Sequence, residues 1–279
     1  MRIPACVLLL PLLASPACSG EAPAADAYET PLVSTFRTTP GFRWRRVDAP
    51  KLRVYVQPGS YAARHAAELA ALAARARADA YRLLELGEDG RTLHVFYVED
   101  RAQMGRLTGQ AVRGGTAYPE ERVAVVAASA RRRPSARHEA MHAVSIGAWG
   151  RSPAGDWVQE GVAVLAEGTC GPYDLETVAA FLVQSGRALP LDRLTGAFRA
   201  QDDLTAYLQA GGLLGHLRAR HGTRAVRALW TGGPAALERA AGRPLADVER
   251  DWRREMAAAP PREVDWATLS EAGCGWRGR

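Results

Sequence analysis

The chain has 279 residues, enough for one substantial domain with a real core or one domain with two lobes. Hydrophobic residues make up 47% and charged residues 24%, which excludes wholesale disorder. The formal net charge of +6 is carried by arginine, Lys51 being the only lysine, and no interleaving of basic and aromatic residues points to nucleic acid.

Residues 1–17 read as a signal peptide. Arg2 supplies the positive start, residues 7–13 a short apolar stretch, and Ser15, Pro16 and Ala17 a small-residue cleavage site. Cys18, followed by Ser19 and Gly20, resembles the lipobox of bacterial lipoproteins, in which the cysteine is lipidated; Ser15 departs from the usual leucine. The alternative is plain secretion after Ala17 or Ala24. Export leaves Cys170 and Cys274 as an even pair in an oxidising compartment, so a disulfide between them is expected. Residues 18–50, rich in Ala, Pro, Glu and Thr at their start, read as a tether or N-terminal extension.

Residues 52–56 alternate as a strand does and stop at Pro58 and Gly59. Ser60 is placed as the N-cap of a long Ala/Leu/Arg helix to about Leu86. Residues 93–98 are a second strand. Glu99 and Asp100 open a short helix, Gly114 and Gly115 mark a turn, and 122–127 is a third strand. Beyond Ser135 the pattern is helical, with predicted helices over 138–146, 157–166, 175–185, 207–221, 223–230 and 245–256. The order implies an α+β fold: a small mixed sheet with a helical second half.

Chemistry is concentrated at His138, Glu139, Ala140, Met141 and His142. Two histidines four apart on a helix share one face, so both imidazoles can reach one ion, and the adjacent glutamate can act on a bound water. A catalytic zinc needs a third protein ligand and one open position. Glu160 lies 18 positions past His142, on a second helix that follows a Gly/Pro turn and can return antiparallel to the first. Gly161 is expected to let that second helix approach the first.

His-Glu-x-x-His followed by Trp157, Glu160, Gly161 and Ala163 resembles the gluzincin metallopeptidases, in particular their bacterial peptidase MA-like members. Gly115, Thr116, Ala117 and Tyr118 with the strand at 122–127 are similar to that family's segment ahead of the active-site helix, and 206–212 with Gly222 to the helix after it. The resemblance spans roughly 52–230 and is strongest over 138–167. It implies a thermolysin-like zincin core over 51–257, with 258–279 left as a C-terminal tail. It further implies one zinc ion held by His138, His142 and Glu160, Glu139 as general base, and the strand at 122–127 as an edge that pairs with substrate. Tyr207, and after it His216, are candidates for the oxyanion donor, and Glu167 for orienting a ligand imidazole.

Simpler readings stand beside these. Tyr207 is equally an ordinary core or surface tyrosine, His216 a satisfied helix histidine, and Trp157 a packing anchor; His65 and His94 are read as structural. The function expected is hydrolysis of a peptide or protein substrate in the cell envelope or outside the cell. The expected protein is a monomer touching the membrane only through a lipid anchor. The alternative is a catalytically silent zincin-fold binding or scaffold lipoprotein.

Overall fold

The computed structural model describes residues 29–111 and 114–275 and is α+β, with a small mixed five-stranded sheet. Residues 1–17, read as a signal peptide, and Cys18 lie outside the described residues.

Helix α1 (Pro31–Thr38) starts at Thr30, whose hydroxyl accepts from the Val33 N–H. Strand β1 (Arg45–Ala49) pairs antiparallel with β2 (Leu52–Val56). Of 18–50, read as a tether or N-terminal extension, residues 31–49 are thus part of the fold, and 18–28 lie outside the described residues. Val33 and Phe36 of α1 are buried, and β1 is an edge strand in which only Val47 and Ala49 are half-buried, too short an alternation to read.

Ser60 caps as expected, its Oγ accepting from the Ala63 N–H at 3.0 Å. The helix it opens is interrupted at His65 and divides into α2 (Tyr61–Arg64) and α3 (Ala66–Leu83). Strand β3 (Leu93–Val98) lies parallel to β2. Asp100 caps α4 (Arg101–Thr108). Two further strands follow, β4 (Gly115–Tyr118) and β5 (Val123–Ala127).

The sheet order is β1-β2-β3-β5-β4, with β2, β3 and β5 parallel and an antiparallel strand at each edge. Side chains alternate across it. Val54, Val95 and Val126 face α3 and the helix that carries the histidines. Tyr55, Phe96 and Val125 face the other way, against Val33 and Phe36 of α1 and Met104 of α4. Alanines on α3 (Ala66, Ala70, Ala73 and Ala76) and on the histidine helix (Ala136, Ala140 and Ala143) let backbone approach the sheet closely.

The second half contains α5 (Ala136–Trp149), α6 (Asp156–Glu167), a hairpin of β6 (Thr169–Cys170) and β7 (Tyr173–Asp174), α7 (Leu175–Gln184) and α8 (Leu191–Gly196). A 3₁₀ turn at Phe198–Ala200 leads into α9 (Asp203–Ala241), α10 (Leu245–Ala258) and α11 (Trp266–Ala272). Helix α9 breaks at Gly222, where φ is 76°, as the division between 207–221 and 223–230 anticipates, and again at Gly233. Trp157, Trp230 and Trp252 are fully buried and anchor this helical core. Among the described residues no helix is long and apolar enough to cross a membrane.

Residues 258–275 are not a loose tail. Cys274 is bonded to Cys170, as expected. Leu269 of α11 is buried beside Leu175, Val178 and Leu208. The Gly171 N–H donates to the Cys274 carbonyl at 3.0 Å, and the Arg133 N–H to the Gly275 carbonyl at 2.8 Å. The last described residues are thereby strapped to Arg132 and Arg133, just ahead of α5.

Candidate metal centre

Helices α5 and α6 pack together, joined by a turn with Gly150 and Gly155 at positive φ. That turn is pinned to α9: Ser152 Oγ donates to the Trp230 carbonyl at 2.7 Å, and Trp230 Nε1 to the Gly150 carbonyl at 2.9 Å. His138 and His142 project from one face of α5, and Glu160 comes to them from α6, as the spacing implies.

Three atoms converge. His138 Nε2 and His142 Nε2 are 3.1 Å apart, and Glu160 Oε2 lies 3.2 Å from the first and 3.1 Å from the second. Tetrahedral coordination with bonds of about 2.0–2.1 Å sets ligand atoms about 3.3 Å apart, so the triangle fits one ion of zinc size. The chemistry fits as well. Two imidazole nitrogens and a carboxylate oxygen facing one point call for a shared positive charge, which a metal ion supplies in place of a proton. His138, His142 and Glu160 can therefore hold a metal ion, with nitrogen and oxygen ligands of the kind zinc takes.

The electrostatics agree. Burial alone would favour neutral His138, but the Glu160 hydrogen bond and the charges of Glu139, Glu160 and Glu167 push its pKa up to about 9. Burial would raise Glu160, yet hydrogen bonds and charge from the two histidines hold it well below the usual carboxylate range. Glu139 is buried, and that burial raises its pKa, against the lowering effect of the histidines. Glu167 Oε2 lies 3.7 Å from His138 Nδ1, on the side of the ring away from the convergence point.

Glu139 owes its place to β4. A Cβ on Gly115 would stand 2.6 Å from Glu139 Oε1, so only glycine lets the strand pass over this carboxylate. Strand β4, not 122–127, is the edge of the sheet at the site: β5 is flanked by β3 and β4. Gly115, Thr116 and Ala117 line a cavity of about 1060 Å³ together with His138, Glu139 and Glu160. Its volume is at the upper end of common ligand pockets, about 300–1,000 Å³. The C-terminal strap closes part of the wall with Leu269, Gly273, Cys274 and Gly275.

Tyr207 is brought to the site. Its ring lies nearly parallel to that of His138, centroids 6.4 Å apart, and it lines the same cavity. Burial, with the nearby Glu160 charge, pushes its phenol pKa up, so it is a neutral O–H donor. His216 is not brought there. It lies nine residues further along α9, about half a turn round the helix, and its Nδ1 pairs with Glu255 of α10 at 3.2 Å. Gly161 is also corrected: a Cβ there would meet Leu214 Cδ1 at 2.8 Å and the Ala210 backbone at 2.9 Å, so it fits α6 to α9 rather than to α5.

Arg199, which the sequence did not single out, joins the site from the 3₁₀ turn. Its Nη2 donates to Glu160 Oε1 at 2.9 Å, its Nη1 to the Tyr207 hydroxyl oxygen at 2.5 Å, and its Nε to Asp156 Oδ2 at 2.7 Å. Nothing distinguishes it in sequence from the other arginines; its role arises only when the turn docks on α6. Compared with protein-family models and with curated proteins, the chain matches none.

Proposed function

We propose that the chain is an exported zinc-dependent peptidase with a thermolysin-like zincin core. The observation that carries this reading is the triangle of His138, His142 and Glu160 beside the buried carboxylate of Glu139, all opening on one large cavity. The Cys170–Cys274 bond supports export to an oxidising compartment.

His138, His142 and Glu160 would hold the zinc ion, which when bound lowers the pKa of its water toward about 7 and polarises a carbonyl oxygen. Glu139 takes the water proton and delivers it to the leaving amine. Burial raises its pKa, which favours its holding the proton it takes before passing it on. Tyr207 donates its hydroxyl to the carbonyl oxygen as negative charge gathers there. Glu167, 3.7 Å from the far nitrogen of His138, favours that ring orientation by its charge. Along the cleft, the edge of β4 that β5 does not use offers backbone groups to an extended peptide, so a substrate adds as a further strand.

The test is a mixed peptide library incubated with zinc-loaded protein, chelator-treated protein and chelated protein given zinc again. New peptide termini are expected with the first and third and none with the second. No new termini at full zinc occupancy would support a silent binding protein instead.

A further inference from the structure

Arg199 touches three groups of the site, one with each of its guanidinium nitrogens. Glu160 has two carboxylate oxygens: Oε2 faces the histidines, while Oε1 accepts from Arg199 Nη2 at 2.9 Å. Tyr207 accepts from Nη1 through its oxygen, which leaves its own hydrogen free to point into the cavity. Asp156, the first residue of α6, holds Nε at 2.7 Å and so fixes the plane of the fork from behind. Phe198, buried next to Arg199 in the chain, stacks on the Tyr207 ring with centroids 5.1 Å apart, so the turn that carries Arg199 is anchored to α9.

We propose that Arg199 is a positioning residue that makes Glu160 a one-oxygen metal ligand and turns the Tyr207 hydroxyl toward the substrate; this rests on the metal reading above. The first effect follows from occupancy. An oxygen engaged in a charge-assisted bond to a guanidinium is a poor second ligand, so Glu160 binds through Oε2 alone and a coordination position stays open for water. The second follows from direction: a phenol whose oxygen lone pair is taken by an arginine has only its hydrogen left to offer. Lysine cannot replace this fork, because a single ammonium on a flexible stem does not meet three acceptors in one plane.

The guanidinium side chain is 56% exposed, so its removal leaves the core intact and the effect on the site can be read separately. The experiment measures zinc affinity by chelator competition, the visible absorption of the cobalt-substituted protein and the thermal midpoint, for wild type, Arg199→Ala, Arg199→Lys and Asp156→Asn. Arg199→Ala is expected to weaken zinc binding about 10–100-fold and to change the cobalt spectrum toward higher coordination. Arg199→Lys should recover only part of the affinity, and Asp156→Asn should show a smaller loss of the same sign. Should Arg199→Ala fail to fold, the other two variants decide by the same readouts. Wild-type affinity and an unchanged cobalt spectrum in folded variants would overturn the proposal. A wild-type chain that takes up neither metal would overturn the metal reading itself and this proposal with it. Metal uptake without peptide hydrolysis would contradict the peptidase reading alone, because the positioning role is read from metal binding.

Discussion

His138 shows most clearly what the site demands. Its Nε2 faces another imidazole nitrogen and a carboxylate oxygen, and the surrounding acids push its pKa to about 9. Below that pH the ring carries a proton that a metal ion must displace; above it the ring is already free to ligate. Zinc affinity should therefore rise with pH, about tenfold per unit and so roughly 100-fold between pH 6 and pH 8, with one proton released on binding. Competition titrations at the two pH values check this. An affinity that does not change with pH would mean that zinc displaces no proton from His138, contrary to the charged ring described here. The histidine pair was legible in sequence because i, i+4 spacing on a helix is a local property; Glu160, on the next helix, was reached through the short Gly/Pro turn and the motif that follows it. Arg199 and the close pass of Gly115 over Glu139 were not, because both depend on which distant segments meet.

At the scale of elements, the placement of Glu160 depends on how closely α6 rides on α9. Gly161 is pressed against Leu214 and the Ala210 backbone, while a Cβ on Gly211 would meet Val164 Cγ1 at 2.5 Å from the other side. Alanine at Gly161 would gain about 1 kcal/mol of helix propensity. It would lose more, about 1–3 kcal/mol, by overpacking, since the Ala210 backbone cannot swing aside as a flexible side chain would. Gly161→Ala should thus be less stable in urea unfolding and bind zinc more weakly, because α6 carries Glu160; equal or greater stability would contradict the packing described.

Which elements were readable follows the same logic. Strands β2 and β3 match their expected spans because buried strands carry dense β-branched and aromatic residues, and Ser60, Asp100 and Gly222 punctuate helices through local backbone chemistry. Edge strands β1 and β4 were hidden. One is largely exposed and the other is four half-buried residues, so neither shows a period to read.

Taken whole, the molecule closes its candidate cleft with a segment that sequence left as a tail. The Cys170–Cys274 bond spans 104 residues and ties the strap to the hairpin after α6. Cys274→Ser should lower the unfolding free energy by about 2–5 kcal/mol, measured in denaturant against wild type with and without reductant. A reduced wild type as stable as the oxidised one would show that the strap is held by its other contacts. At the opposite end, α1 and β1 belong to the folded body, so a chain begun at residue 51 loses an edge strand and the cover over Phe96.

The most direct measurement compares wild type with Glu139→Gln, each with its zinc content determined, on a peptide the wild type cleaves. Glutamine keeps the shape of the side chain and removes the base. Both proteins should hold one zinc per chain, and the variant's kcat should fall by about 10²–10⁴-fold. Equal turnover by the two proteins at equal zinc content would contradict a peptidase built around Glu139.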